Sequence, residues 1–194
     1  MNNKYAVKKN ITGKDIKKFR KNNHLSKIEL SNLLNVSPRT IEGWESKDSI
    51  ISGPIVLLLR ILEENPEFIN DLVIPKMMYG LRLYYMGNGS INTVIDVDML
   101  NRKVNFKNYT NKIIARAFGN REKVTYKEYE EFLESRCMPK TRDKLKIELQ
   151  KLDISYYDPL LIIEKTKGRM ADDEYYIEIV RGSENDRTKW KILN

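Results

Sequence analysis

Apolar residues recur at helical spacing through roughly the first third of the chain, then change to the alternation of strands. Thr12-Gly13 can cap a first helix over residues 14–22, with Ile16 and Phe19 turned inward. Ser26 opens the next. Glu29 stands three residues on and completes a capping box, and Ile28, Leu30, Leu33 and Leu34 form the apolar face. Asn35-Val36 makes a tight turn, because a short polar side chain tolerates the left-handed backbone and Val plugs the gap beneath. Ser37 and Pro38 are cap and first residue of the following helix, which Ile41 and Trp44 anchor. These two helices fall near 26–34 and 37–46. Residues 47–53 read as a loop, and Pro54 opens a fourth helix to about Glu64. Asn65-Pro66-Glu67 interrupts it, since proline disfavours helix at the residue before it.

Beyond Pro75 the period shortens. Residues 81–85, 93–97 and 103–109 are strand candidates, separated by the turn residues Gly87-Asn88-Gly89-Ser90 and Asn101-Arg102. A three-stranded antiparallel meander is the simplest arrangement. Helices are expected at 110–118, at 125–137, from Pro139 through Leu145, Leu149 and Leu152, and from Asp158-Pro159 to a cap at Gly168. Residues 175–180 read as a last strand. The expected organisation is a flexible basic arm over 1–11, an all-α unit over 12–74, an α+β unit over 75–182 and a polar tail over 183–194 with Trp190 as its buried candidate. The fold class is mainly α with a smaller β part.

Two short helices joined by the Asn-Val-Ser turn have the spacing of a helix-turn-helix. The segment LSKIELSNLLNVSPRTIEGWE resembles the Cro/repressor-like (XRE) family of DNA-binding domains over about residues 13–72. The continuation SGPIVLLLRILEENPEFI is similar to the MqsA-type antitoxin branch of that family. The resemblance implies a lambda-repressor-like fold whose second motif helix faces base edges in the major groove. It puts Ser37, Pro38, Arg39 and Gly43 on that surface, with Thr40 and Glu42 flanking and Thr40 within reach of phosphate. Arg39 is the strongest reader, since Arg takes guanine through two parallel bonds. Pro38 and Gly43 depart from the family's long polar side chains, so part of the discrimination is expected to come from DNA shape. Lys27, at the start of the first motif helix, takes the family's phosphate-binding position, with help from the helix dipole. Arg20 and Glu45 occupy the positions of an internal ion pair.

Charge supports a nucleic-acid partner. Net charge is +8, and residues 1–23 hold eight Lys or Arg against one acid, Asp15. Lys4, Lys8 and Lys9 are expected to lie on phosphate, a salt-dependent and sequence-independent contribution. A second basic group, Arg136, Lys140, Arg142, Lys144 and Lys146, reads mainly as a solvated helix face. Asp172-Asp173-Glu174 reads as an acidic turn before a strand. One Cys (Cys137) and one His (His24) support neither a disulfide, a structural zinc site nor a catalytic triad. No phosphate-cradling glycine loop is present. The chain is read as a cytoplasmic non-enzyme with no cofactor and no metal.

The expected function is that of a sequence-specific transcriptional regulator, a repressor or an autoregulating antitoxin, on double-stranded operator DNA. A homodimer is expected, with most of its interface in the C-terminal unit, and Ile50 and Ile51 are candidates for a further contact. A toxin or other protein is the expected partner of the C-terminal unit. The alternative is an anti-defence inhibitor or adaptor of a mobile element, whose helix-turn-helix only regulates its own gene.

Overall fold

The computed structural model describes residues 5–47 and 49–182. Lys4, Asp48 and the expected tail over 183–194, Trp190 included, lie outside them. The chain divides into two compact units between Val73 and Ile74.

The first unit runs β1 (Asn10–Thr12), α1 (Gly13–Asn22), α2 (Lys27–Leu33), α3 (Pro38–Lys47), β2 (Ile50–Ser52), α4 (Pro54–Glu64) and α5 (Glu67–Leu72). Its core gathers Ile16 and Phe19 of α1, Leu30 of α2, Ile41 of α3, Val56, Leu59 and Leu62 of α4 and Ile69 of α5. Two expectations change here. Residues 10 and 11, assigned to the flexible arm, and residues 50–52, assigned to a loop, form a two-stranded antiparallel ribbon with Ile11 opposite Ile51. Alternation along β2 buries Ile51 at 6% exposure and leaves Ile50 at 76%. Ile28 was placed on the apolar face of α2, yet it is 62% exposed. In a helix of seven residues the core takes Leu30 and Ser31, and Leu33 packs beside them. Ile28 falls off that narrow face.

The second unit is a four-stranded antiparallel sheet in the order β5-β4-β3-β6. The strands are β3 (Leu81–Gly87), β4 (Ser90–Asp98), β5 (Lys103–Asn108) and β6 (Tyr176–Arg181). The expected meander is present, and β6 adds itself beside β3, with Leu83 opposite Ile179. α6 (Tyr126–Ser135), α7 (Leu145–Lys151) and α8 (Pro159–Thr166) supply the helical layer. Leu81, Leu83, Tyr85, Ile95, Val97 and Ile177 meet Tyr129, Phe132, Leu133, Leu149, Ile162 and Ile163 in one core. The helix expected over 110–118 is only a 3-10 turn, Ile113–Ala115. The helix expected from Pro139 begins six residues later, at Leu145. Neither segment keeps an apolar face at helical spacing long enough to offset a costly helix nucleus.

The opposite sheet face is closed by a buried ion pair. Arg82 Nε and Nη2 donate to Asp96 at 2.5 and 2.6 Å, and the two side chains are 0% and 5% exposed. Arg82 Nη1 also donates to the carbonyl of Pro75 at 2.8 Å, and Asp96 accepts from the backbone of Met78 at 3.3 Å. The segment leading into β3 is therefore strapped across the sheet.

Candidate nucleic-acid interface

The site begins with the turn between α2 and α3. Ser26 accepts from the backbone N–H of Glu29 at 3.1 Å, and Glu29 takes the N–H of Ser26 at 2.7 Å, so two otherwise orphan donors are satisfied. That same bond from Ser26 holds the Glu29 carboxyl below its ordinary range. At the other end Asn35 adopts φ 52°. Its N–H reaches Asn32 O at 3.2 Å, and the N–H of Val36 reaches Ser31 O at 2.9 Å. This is the paired bond pattern of a Schellman stop, with Asn in the left-handed position. The chain can then turn within three residues. Val36 packs half-buried against the core. Ser37 caps α3: its hydroxyl takes the N–H of Thr40 at 3.1 Å and shares a 2.8 Å bond with the Thr40 hydroxyl.

α3 is fixed from behind by α1. Arg20 grips Glu45 through Nε at 2.6 Å and Nη2 at 2.9 Å, and its Nη1 donates to Leu25 O at 3.2 Å. The two side chains are 16% and 6% exposed. Arg20 is the first cause of a Glu45 carboxyl lying below its ordinary pKa. α1 also approaches α3 through Gly13. A Cβ there would stand 1.9 Å from the Trp44 carbonyl oxygen, so only glycine permits the approach.

The residues expected to face DNA sort into three groups. Ser37, Pro38, Arg39 and Glu42 are exposed, and Thr40 and Gly43 are half-buried. Arg39 has no side-chain partner among the described residues, whereas Ser37 and Thr40 are committed to each other at the cap. Lys27 and Glu42 come together across the motif at 3.6 Å, with 43% and 60% of their side chains exposed. A pair this exposed is worth little and yields readily to a phosphate. Lys8 and Lys9 are exposed on the segment ahead of β1. That segment is held to α4 by Arg60, whose Nη1 donates to Ala6 O at 2.9 Å. The charge of Lys8 reaches Asp15, whose carboxyl is lowered chiefly by the N–H of Thr12. One further residue shares this face of α3. Ser46 is exposed three and four positions beyond Gly43 and Glu42, on the same side of α3 as Arg39. Its helical spacing from Arg39 was the available signal.

Gly43 is not a packing requirement, since a Cβ there meets nothing within 4 Å. Gly43→Ala is expected to stabilise the first unit by about 0.5–1 kcal/mol, because glycine in a helix interior gives up more chain entropy. A thermal melt followed by helical circular dichroism checks it, and an unchanged or lower Tm contradicts it.

The other candidates become structural. Arg136 was grouped with surface cations, but it is buried at 7% exposure. It donates to Gly168 O at 3.0 Å and Tyr175 O at 2.9 Å and makes a bidentate pair with Asp173. It thus pins the turn between α8 and β6 to the end of α6, and Asp173 is the acid that completes the clamp. Cys137 is buried, and burial pushes its thiol up to about 12, so little reactive thiolate forms at neutral pH. Among the described residues no group of three or more His, Cys, Asp or Glu is placed to hold a metal. No helix among them is long and apolar enough to cross a membrane. A groove of about 540 Å³ lies between α6 and the start of α8, lined by Tyr126, Tyr129, Glu130, Glu134, Tyr157 and Asp158. Nearby cations already engage its acids, Arg102 on Glu130 at 3.1 Å and Lys140 on Glu134 at 2.6 Å.

Residues 16–60 match the helix-turn-helix family, and the match spans α2, α3 and most of α4. The chain is similar to Antitoxin HigA-2 of Vibrio cholerae serotype O1, at 32% identity over 63 residues. The similarity covers 32% of this chain and 61% of that protein.

Proposed function

We propose that the chain is a sequence-specific DNA-binding transcriptional regulator that represses its own operon as an antitoxin does. The observation that carries this reading is an exposed, unpartnered Arg39 in the first turn of a helix locked at both ends. Ser37 caps that helix, and the Arg20–Glu45 pair orients it. A side chain with no internal partner breaks no bond in order to bind, and a helix that is already ordered spares the backbone's share of the ordering cost. The match of residues 16–60 to the helix-turn-helix family supports the same reading. The antitoxin part draws on the named relative, and the narrower MqsA-type assignment rests on the 52–69 segment alone.

In this reading Arg39 takes a guanine in the major groove, Pro38 and Gly43 let the backbone approach closely, and Glu42 flanks them. Ser37 stays on the base-facing side as the cap of the helix, Thr40 and Lys27 lie against phosphates, and Lys8 and Lys9 add sequence-independent attraction. Two copies bind an inverted repeat, one helical turn of DNA apart, roughly 34–36 Å. The second unit holds a toxin or another protein. Its hairpin tip between β4 and β5 offers Met99 and Leu100, at 49% and 95% exposure, beside the α6–α8 groove. Co-purification with the product of the neighbouring gene separates a toxin from a host defence protein, the occupant in the anti-defence alternative.

Arg39→Ala is expected to cost about 1–3 kcal/mol on the chain's own promoter DNA and little on random DNA. Titration of both DNAs at one salt concentration measures this. An equal loss on the two would reduce Arg39 to a phosphate contact.

A further inference from the structure

Tyr129 lines the α6–α8 groove and belongs to the core of the second unit, with only 2% of the residue exposed. Its hydroxyl nevertheless makes no hydrogen bond within the described residues. Buried tyrosine hydroxyls ordinarily find a partner. Among the described residues every fully sealed side-chain nitrogen and oxygen has one, so this hydroxyl must open into the groove. Burial pushes its phenol well above the ordinary range, so it stays neutral and can accept a bond as well as donate one. Asp158 is near enough for its charge to act on the same phenol. One Asp158 oxygen caps α8 through Leu161 N, and no cation among the described residues pairs with the carboxylate.

The rest of the lining shows how these walls hold a cation. The Arg102 guanidinium lies 4.3 Å over the Tyr126 ring and donates to Glu130 at 3.1 Å. The Lys140 ammonium stands 5.3 Å from the centre of the Tyr157 ring and 2.6 Å from Glu134. Twice, then, a tyrosine and a glutamate of the groove grip a cation of the chain itself. Both pairs are exposed, so they are weak and exchangeable. Tyr129 and Asp158 offer a buried hydroxyl and a carboxylate that hold none.

We propose that this groove takes an arginine side chain presented by a basic segment of a protein partner. The inference rests on the reading of the second unit as the holder of a protein and names the chemistry it recognises. Charge complementarity supports it. Glu130, Glu131, Glu134 and Asp158 face one cation in the lining, Lys127, although the chain as a whole carries +8. Arginine fits better than lysine, because a planar guanidinium stacks on a ring and bonds a carboxylate together, as Arg102 does with Tyr126 and Glu130. A polypeptide fits better than a free cation. Met99 lines the groove and Leu100 beside it is 95% exposed, a bare apolar edge that a neighbouring apolar residue of a partner would cover.

The test titrates the full chain with acetyl-Leu-Arg-Leu-amide and follows backbone amide NMR shifts, which are expected to cluster at Met99, Leu100, Tyr126, Tyr129 and Asp158. The citrulline analogue keeps the shape without the charge and is expected to bind about tenfold more weakly. Tyr129→Phe keeps the ring in the core and removes only the hydroxyl. It is expected to weaken the arginine peptide about fivefold, with Tm unchanged or higher, because the hydroxyl serves no bond in the fold. Leu100→Ser is expected to weaken the peptide and leave the binding of methylguanidinium unchanged. Scattered or absent shifts, equal binding of the citrulline peptide, or a Tyr129→Phe chain that loses Tm and keeps its peptide affinity each overturn the proposal. Methylguanidinium binding as tightly as the peptide overturns the protein partner in favour of a small cation. Co-purification with the neighbouring gene product is measured in parallel. A product that stays with the parent and Tyr129→Phe alike, on a chain that ignores the peptide, overturns the groove and leaves the second unit as a protein holder. A peptide held in the groove with no co-purifying product supports the groove and overturns the toxin reading instead.

Discussion

Replacing Asp96 by Asn is expected to destabilise the second unit by about 3–5 kcal/mol, the range for removing one member of a buried ion pair. Arg82 is fully buried beneath the strap that leads into β3, and both of its Asp96 bonds go to one carboxylate. Asn presents a single acceptor and no charge, so the buried guanidinium loses the carboxylate that takes two of its bonds. The Met78 N–H loses part of its acceptor as well. Asp98, two residues along β4, makes the comparison. Its bonds serve only the local turn at Asn101, at 3.0 and 2.8 Å, so Asp98→Asn is expected to cost less than about 1 kcal/mol. Urea unfolding followed by amide exchange in β3 and β4 measures both. Equal costs for the two variants would mean that water reaches Arg82 and that its burial carries no such penalty.

Glu45→Gln is expected to cost about 2–3 kcal/mol in the first unit and to change its response to acid. The parent carboxylate is held below the usual glutamate value of 4.5 by two bonds from Arg20. A lowered folded pKa means that the unfolded chain takes the proton first as pH falls. The contribution of Glu45 is therefore complete above about pH 4.5 and fades as pH drops through the lower folded value. Gln has no such transition. Amide exchange of α1 and α3 at pH 7 and pH 3 should show a smaller loss of stability in the variant. The same loss in both proteins would remove Glu45 from the acid response. Because Arg20 and Glu45 join α1 to α3, the variant is also expected to bind DNA more weakly on operator and random sequences alike.

The motif was legible because its signals are local. Ser26 and Glu29 close a box three residues wide, and Asn35 sits where a left-handed residue must end α2. Pro54 set the start of α4 to the residue, since its missing N–H suits only the first turn. Asp158 and Pro159 did the same for α8, with Asp158 accepting from Leu161 N at 3.1 Å. The meander followed from alternation and from the Asn88-Gly89 and Asn101-Arg102 turns. Each of these depends on neighbours within a few residues, which is the range that backbone sterics and capping bonds act over.

What the linear chain did not disclose lies in pairs far apart in sequence. Ile11 finds Ile51 across a ribbon whose strands are three residues each, too short for alternation to be read. Arg136 carried the same surface signal as Lys140, and only the return of the chain to Asp173 and Tyr175 made it a buried clamp. Arg82 and Asp96 are 14 residues apart and looked like two charged residues on strands, until the register β3–β4 set them opposite each other under Pro75. The turn between α2 and α3 and the start of α3 were thus decided by local rules in the sequence. The burial of Arg82 and Arg136, and the groove between α6 and α8, were decided by the tertiary structure, because a charge or an apolar side chain takes its meaning from what the fold places against it.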